Sequence, residues 1–501
     1  MLKKLRQSLA AVSIIMVTLL FLDFTGTVHA WFGWMAKIQF LPALLALNLG
    51  VIVALVALTL LLGRVYCSVI CPLGIMQDGF AWFGKKAKKN RYSYSKEKNI
   101  LRYVMLVIMA IAIIAGIGSV VALLAPYSAY GRIVQSILAP VWAFFNNLLA
   151  SWAEKEGSYS FYTIDIWLKS GITLGVAILT LVALGILAWR NGRTYCNTVC
   201  PVGTVLGLLS RFSLFRPVID TSKCNGCGLC ARNCKSACID SKSHKIDYSR
   251  CVTCMDCLSK CNKGAISYAF SPKANMKAGN EAIAADTDSK NVDNGRRQFL
   301  TAGVAIATAA AATAQEKVVD GGLAVIEDKK IPHRKTRIVP PGAQSIRNLT
   351  THCTACQLCV SVCPNGVLRP SSDVLTLMQP ESSYERGYCR PECTKCSNVC
   401  PTGAILPISV ADKSSIQIGH AVWVKENCVP VTDGVECGNC ARHCPAGAIL
   451  MVPSVAGDDS SPKIPVVNTE RCIGCGACEN LCPSRPFSAI YVEGHERHRV
   501  I

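Results

Sequence analysis

No C-x-x-C pair in this 501-residue sequence is followed by histidine, so the chain has no c-type haem attachment site. It contains only 8 histidines, and His29 alone lies near an apolar segment, which leaves a bis-histidine haem between its helices unsupported. Neither a phosphate-binding P-loop nor a Rossmann glycine fingerprint is present, which argues against nucleotide chemistry. Acidic residues are scarce beside basic ones, 32 against 52, for a formal charge of +20. Nucleic acid would be the ordinary reason for such a charge, but membrane topology accounts for much of it, so no nucleic-acid partner is expected.

What the chain has instead is sulfur: 28 of its 29 cysteines fall into seven sets of four. Cys353, Cys356, Cys359, Cys363 and Cys472, Cys475, Cys478, Cys482 each read C-x2-C-x2-C-x3-C-P, the run for bacterial [4Fe–4S] clusters. Cys389, Cys393, Cys396, Cys400 and Cys428, Cys437, Cys440, Cys444 keep the C-x2-C-x3-C-P ending and move the first ligand outward. Cys224, Cys227, Cys230, Cys234 and Cys251, Cys254, Cys257, Cys261 repeat the spacing, with Lys235 and Asn262 in place of proline. Three thiolates on a tight loop wrap one corner of a cubane and cannot reach round it. The fourth then comes from the other repeat, pairing Cys224, Cys227, Cys230 with Cys261, and Cys251, Cys254, Cys257 with Cys234. Cys238 is left over, as a substitute for Cys234 or as a buried bystander. For the four later sets a nested order is expected, first with fourth and second with third. Zinc favours two separated pairs, and disulfides suit small secreted scaffolds, so six [4Fe–4S] clusters are the expectation.

The apolar weight, with a mean hydropathy of +0.33, is concentrated in the first 190 residues. Segments 9–24, 40–63, 103–125 and 171–189 have the length and uncharged character of spanning helices, four in all. The loop 64–102 holds nine Lys/Arg, whereas 126–170 holds only Arg132, Lys155 and Lys169. The positive-inside rule places the N-terminus, that loop and the residues after 189 in the cytoplasm. Further on, Gly295-Arg296-Arg297-Gln298-Phe299-Leu300 precedes an alanine-rich stretch ending Ala312-Thr313-Ala314, which resembles a twin-arginine export signal placed internally. Clusters are assembled before export, so the four later sets would cross already folded and work in the periplasm.

The seventh set is a repeat. Arg64-Val-Tyr66-Cys67-Ser-Val-Ile-Cys71-Pro72-Leu-Gly74 matches Arg193-Thr-Tyr195-Cys196-Asn-Thr-Val-Cys200-Pro201-Val-Gly203, 129 residues later. Two helical hairpins related about the membrane normal would bring these motifs together at the cytoplasmic face. There Cys67, Cys71, Cys196 and Cys200 would bind an additional metal or cluster, cycle as thiol and disulfide, or serve packing alone. Quinone contacts are sought among Gln77, Asp78, Tyr66 and Tyr195 on that side, and among His29, Trp31, Trp34, Tyr127, Tyr130 and Arg132 on the other. Asp23 joins them because carboxylates near spanning segments tend to be functional.

Residues to about 270 resemble NapH, a membrane quinol-dehydrogenase component with paired Cys-x3-Cys-Pro motifs and a two-cluster ferredoxin. From Gly295 onward the chain is similar to NapG, the exported four-cluster partner, and NosR-type proteins and the MauM/MauN pair share the modules. The resemblance implies a multi-domain protein. An all-α bundle of two hairpins (1–215) would precede an α+β cytoplasmic two-cluster ferredoxin (216–270) and a flexible linker (271–294). A signal or anchor helix (295–314) and a periplasmic α+β four-cluster domain (315–501) would follow. It further implies a bacterial inner-membrane protein of anaerobic respiration that oxidises menaquinol or ubiquinol from the quinone pool. A periplasmic reductase or cytochrome, such as a nitrate reductase system, would take the electrons. The rival expectations are a relay from a cytoplasmic redox partner and a redox-responsive regulator.

Overall fold

The computed structural model describes residues 2–23, 25–88, 92–158, 161–271 and 327–501. Met1–Pro272 and Lys330–Ile501 form one compact unit. The twin-arginine segment expected at 295–314, and the linker expected before it apart from Ser271, lie outside the described residues.

Helix α1 (Leu2–Leu22) carries charge only in its first turns, and its 21 residues give a rod of about 31 Å, the thickness of a hydrocarbon core. Its contacts gauge depth through the molecule. Lys3 Nζ lies 2.9 Å from Asp256 Oδ1. Arg6 Nη1 donates to Ser68 O at 3.3 Å, and Ser13 Oγ to Ile70 O at 3.4 Å. Thr18 Oγ1 and Tyr130 OH are 2.6 Å apart, and the Phe21 and Tyr127 rings are centred 5.7 Å apart. Asp256 belongs to the module of residues 216–270, which therefore caps the Lys3 end, here the near end. At the far end the module beginning at Lys330 seats its cysteine loop on the bundle, where a Cβ at Gly131 would collide with both Phe21 and Cys356 O.

The helices between these ends are α2 (Thr27–Phe32), α3 (Trp34–Lys37), α4 (Phe40–Leu45), α5 (Leu49–Leu62), α6 (Pro72–Lys88), α7 (Asn99–Ala115), α8 (Gly118–Leu124), α9 (Pro126–Ile133), α10 (Ala139–Lys155), α11 (Gly171–Asn191), α12 (Thr194–Thr198) and α13 (Pro201–Ser210). Asn48 and Ser170 cap α5 and α11, each side-chain oxygen accepting from the backbone N–H three residues on. Both helices end at a glycine of positive φ, Gly63 at 75° and Gly192 at 67°, where a Cβ would strike the near module at Thr253 and Lys235 respectively. The chain then turns back through a short piece, π-helical Tyr66–Ile70 or α12, to a Cys-Pro step that opens α6 or α13.

Among the described residues three helices are long and apolar enough to cross a membrane: Leu2–Leu22, Pro126–Lys155 and Gly171–Asn191. The expected spans at 40–63 and 103–125 are each broken into shorter helices, the second at Gly116, whose φ is 70°. Pro126–Lys155 lies in a stretch that reads as a loop. Tyr127, Tyr130 and Arg132 lower its hydropathy, yet every residue of α9 is buried.

Both ferredoxin modules are built on two-stranded antiparallel sheets. In the near module β1 (Phe215–Ile219) pairs with β4 (Ile266–Phe270), and β2 (Ile239–Asp240) with β3 (Lys245–Ile246). In the far module β5 (Leu368–Pro370) pairs with β6 (Pro380–Ser382), β7 (Ile416–Trp423) with β10 (Ile490–Val500), and β8 (Ile449–Pro453) with β9 (Lys463–Val467).

Asp78 ties the near end together. Its carboxylate lies 3.0 Å from Arg6, 2.7 Å from Arg193 and 3.4 Å from Lys235, joining α1, α6, the Gly192 turn and the near module. Removing it leaves three cations without their shared counter-charge. Asp78→Ala should therefore cost about 3–5 kcal/mol. Thermal unfolding in detergent checks this against Asp220→Ala, which removes an exposed pair with Lys223 and an exposed turn to Ser222 and should move the midpoint far less.

Candidate metal centres

In the near module Cys224, Cys227 and Cys230 share one cavity with Cys261. Cys251, Cys254 and Cys257 share another with Cys234, so each set takes its fourth thiol from the other. Cys238 also lines the second cavity, its sulfur 3.5 Å from that of Cys234.

The far module departs from the nested order. Cys363 joins Cys389, Cys393 and Cys396 in one cavity, while Cys400 lies within electrostatic reach of Cys353, Cys356 and Cys359. Cys482 joins Cys428, Cys437 and Cys440, while Cys444 faces Cys472 and Cys475. The first set therefore exchanges with the second and the third with the fourth. Consecutive sets fold as adjoining two-site units, and each exchange closes within its own unit. Cys389 N donates to Cys475 O at 2.9 Å, which joins the two units.

The donor chemistry fits clusters. Backbone N–H groups donate to sulfur at 3.2–3.3 Å, from Ala265 to Cys261, Ala355 to Cys353, Ala448 to Cys444 and Ala489 to Cys482. The loops opened by Cys224, Cys251, Cys353 and Cys472 also share one conformation, with positive φ two and four residues after the first cysteine. Gly226 and Gly228 adopt it freely, whereas Thr253 and Met255, and Ala355 and Gln357, adopt it against L-residue preference. Among the described residues no three His, Cys, Asp or Glu side chains close round a single ion. The thiols ring wider spaces.

Cys67, Cys71, Cys196 and Cys200 also meet, all buried and each within electrostatic reach of others in the quartet. They do so inside the bundle rather than at its face. Ile70 sits level with Ser13, about 16 Å along α1 from Leu2, because the pieces after Gly63 and Gly192 turn inward with their carbonyls satisfied. Those partners are reciprocal: Arg64 Nη2 donates to Cys196 O at 3.1 Å, and Arg193 Nη1 to Cys67 O at 2.5 Å. A Cβ at Gly74 would collide with Cys67 O and crowd Arg193, and one at Gly203 would collide with Cys196 O and crowd Arg64. The glycine preceding each arginine was a further repeat signal, visible at Gly63 and Gly192 and missing from the motif as read.

The quinone candidates separate. Gln77 Nε2 donates to Cys196 Sγ at 3.3 Å, and Asp78 is held by its three cations. Asp23 accepts from the backbone of Thr25, Gly26 and His29, with His29 Nδ1 3.0 Å from Oδ2. Burial alone would raise the Asp23 carboxyl, but these bonds hold it below its usual range. Burial lowers His29 against the pull of Asp23, and its Nε2 is buried with no hydrogen bond among the described residues. Tyr66 OH accepts from Phe40 N, Tyr195 OH donates to Leu124 O, and Trp31 and Trp34 are exposed.

A site that sequence reading passes over lies at the far end. Phe21, Trp142, Ile164 and Leu174 line an apolar cavity together with Gln135, Lys169, Gln357 and Ser361. Lys169 Nζ donates to Val360 O at 3.2 Å and, with the Gln135 amide turned to satisfy both its neighbours, to Gln135 Oε1 at 2.7 Å. Burial pushes Lys169 down to about 8, against the opposite pull of the Cys363 and Cys359 thiols. In sequence it is one lysine in a loop.

Residues 44–91 and 173–219 both match a family described as "4Fe-4S binding domain", and these matches contain the two Cys-x3-Cys-Pro motifs. Residues 352–405 and 434–485 match families described as "4Fe-4S dicluster domain"; the first spans one unit that the thiol exchange defines, and the second spans the other apart from Cys428. An uncharacterized protein of Methanocaldococcus jannaschii is 38% identical over 22% of this chain and 42% of its own length. The methylamine utilization ferredoxin-type protein MauN of Paracoccus denitrificans is 28% identical over 41% and 57%. The ferredoxin-type protein NapH of Escherichia coli is 25% identical over 44% and 67%. The chain thus spans only 42% and 57% of the first two of these relatives. The exchange predicts that Cys363→Ser alters the cluster signal of the Cys389, Cys393, Cys396 site and leaves that of the Cys353 site, read by Mössbauer and EPR spectra of the two variants Cys363→Ser and Cys400→Ser. Cysteine sets gathered into shared cavities, apolar helices that fit a membrane protein and these matches together make the chain an iron–sulfur electron-transfer protein with NapH- and MauN-like relatives.

Proposed function

We propose that the chain is a quinol dehydrogenase of the bacterial cytoplasmic membrane, with the near module in the cytoplasm and the far module in the periplasm. The reading is carried by the far-end cavity, because its wall is the cysteine loop itself. Gln357 stands between Cys356 and Cys359, and Ser361 follows two residues on. A quinol ring entering from the lipid would lie against the first cluster site of the far module. Six thiol sets, Cys224 to Cys261 and Cys353 to Cys482, would each hold a [4Fe–4S] cluster that supplies one-electron redox chemistry.

The residues around the cavity suit the task. Apolar walls admit the ring, and Gln135 and Gln357 offer hydrogen bonds to its oxygens. Lys169, with its proton affinity lowered by burial to about 8, can take a hydroxyl proton when neutral. From the first site the far-module sites continue through Cys363 and the Cys389–Cys475 contact to Cys482, where a periplasmic reductase or cytochrome would collect electrons.

Anaerobic titration of the full chain with a reduced menaquinone analogue tests the reading. Cluster bleaching by quinol is expected, and clusters that dithionite reduces but quinol does not would refute it. The rate should rise with pH and level off above about 8, as Lys169 loses its proton. Lys169→Met should slow cluster reduction by quinol by about tenfold or more and flatten that profile, with cluster reduction by dithionite unchanged.

A further inference from the structure

The two ferredoxin modules cap opposite ends of the bundle, and a single buried core runs between them. It contains Val252 of the near module, Cys67, Cys71 and Cys200 of the quartet, Tyr127 and Tyr130 of α9, and Cys356 of the far module. Measured along α1, the loop of Cys67 and Cys71 runs from the level of Arg6, which reaches Ser68 O, to that of Ser13, which reaches Ile70 O, between Lys3 and Phe21. It stands between the second site of the near module and the first site of the far one. The Gly63 and Gly192 turns that open its two halves rest on Thr253 and Lys235, each next in sequence to a cysteine of that near-module site.

The surroundings of the quartet are built for negative charge. Arg64 is fully buried, and no carboxylate among the described residues pairs with it. It donates instead to Asn197 Oδ1, Ser249 O and Cys196 O, with Nη2 3.8 Å from Cys67 Sγ. Gln77 Nε2 donates to Cys196 Sγ, and Gly203 N to Cys200 Sγ at 3.3 Å. Cys200 caps the N-terminus of α13, where the helix dipole favours an anion. On the far side Arg132 is also fully buried. Among the described residues only its Nη1 is bonded, to Ala122 O at 2.6 Å, while Nε and Nη2 find no partner there, and the group lies within electrostatic reach of both Tyr195 and Cys356. A buried arginine without a carboxylate beside four buried thiols, with N–H donors aimed at Cys196 and Cys200, fits an anionic tetrathiolate cluster.

We propose that Cys67, Cys71, Cys196 and Cys200 together ligate one iron–sulfur cluster inside the bundle, and that this cluster passes single electrons between the near-module site of Cys234, Cys251, Cys254 and Cys257 and the far-module site of Cys353, Cys356, Cys359 and Cys400. The proposal rests on the reading that those two sites hold [4Fe–4S] clusters. Each transfer oxidises one cluster by one electron and reduces the next by one, with no bond formed and no proton moved. Electrons enter from a reduced one-electron carrier that docks at Cys227, the exposed cysteine of the near module.

The test uses full-length protein purified anaerobically and placed in sealed vesicles with the near module outward. Cys67→Ser and Cys196→Ser should each lose about two to four iron atoms per chain and keep the ferredoxin signals. Dithionite added outside should reduce the far-module clusters in the parent chain and not in these variants. Gln77→Leu, which keeps all four thiols, should retain the iron and lower the potential of one signal, that of the inner centre, because it loses an N–H···S bond. It decides the matter if the serine variants fail to fold. Unchanged iron with intact transfer in the serine variants, zinc at the quartet, or no shifted signal in Gln77→Leu would overturn the proposal. Absence of ferredoxin signals from the parent chain would instead remove the reading on which it rests.

Discussion

The reciprocal crossing of Arg64 and Arg193 is the contact on which the rest of the bundle depends. Each arginine opens one copy of the repeat and donates to the carbonyl of the first cysteine in the other copy, so neither inward loop is complete alone. A backbone that turns back into an apolar bundle must find partners for its carbonyls there, because lipid supplies none. The guanidinium fork meets this need with several rigidly spaced donors, which a lysine would not. Gly74 and Gly203 follow from it, since the helices opened by Pro72 and Pro201 start where the opposing arginine passes.

The same crossing fixes the near module. Arg64 and Arg102 both donate to Ser249 O, and Arg193 shares Asp78 with Lys235. A buried cation is expensive unless bonded, so these contacts set the module's height and rotation on the bundle. At the other end the cysteine loop of Cys356 is sunk against Gly131 and Phe21, with Lys169 reaching its backbone. Sites on rigid, interlocked elements keep fixed spacing, which electron transfer between them requires.

Much of this was legible in the sequence, and the exceptions share a cause. Cysteine spacing is local, so the loops could be read from residues alone, and Cys261 lies with the first near-module set while Cys234 and Cys238 both lie with the second. Which of four equivalent sets adjoin in space is not local, and Cys363 turned out to complete the second set rather than the fourth. Hydropathy found α1 and α11 but passed over α9, because Tyr127, Tyr130 and Arg132 read as polar although the fold buries them. Motif reading brought the four repeat cysteines together and put them at the wrong depth, since nothing in Cys-x3-Cys-Pro says that the chain turns inward. Lys169 and Gln135 carry no pattern, and only the fold sets them beside Cys359.

The most direct test of the account is anomalous diffraction from crystals of the anaerobically purified chain, recorded on both sides of the iron absorption edge. The account predicts an iron peak within each thiol set of the two modules and one more among Cys67, Cys71, Cys196 and Cys200, forming a continuous series from Cys227 to Cys482. Peaks that appear at the zinc edge instead, or modules filled with iron around a quartet that has none and whose thiols are paired as disulfides, would contradict it.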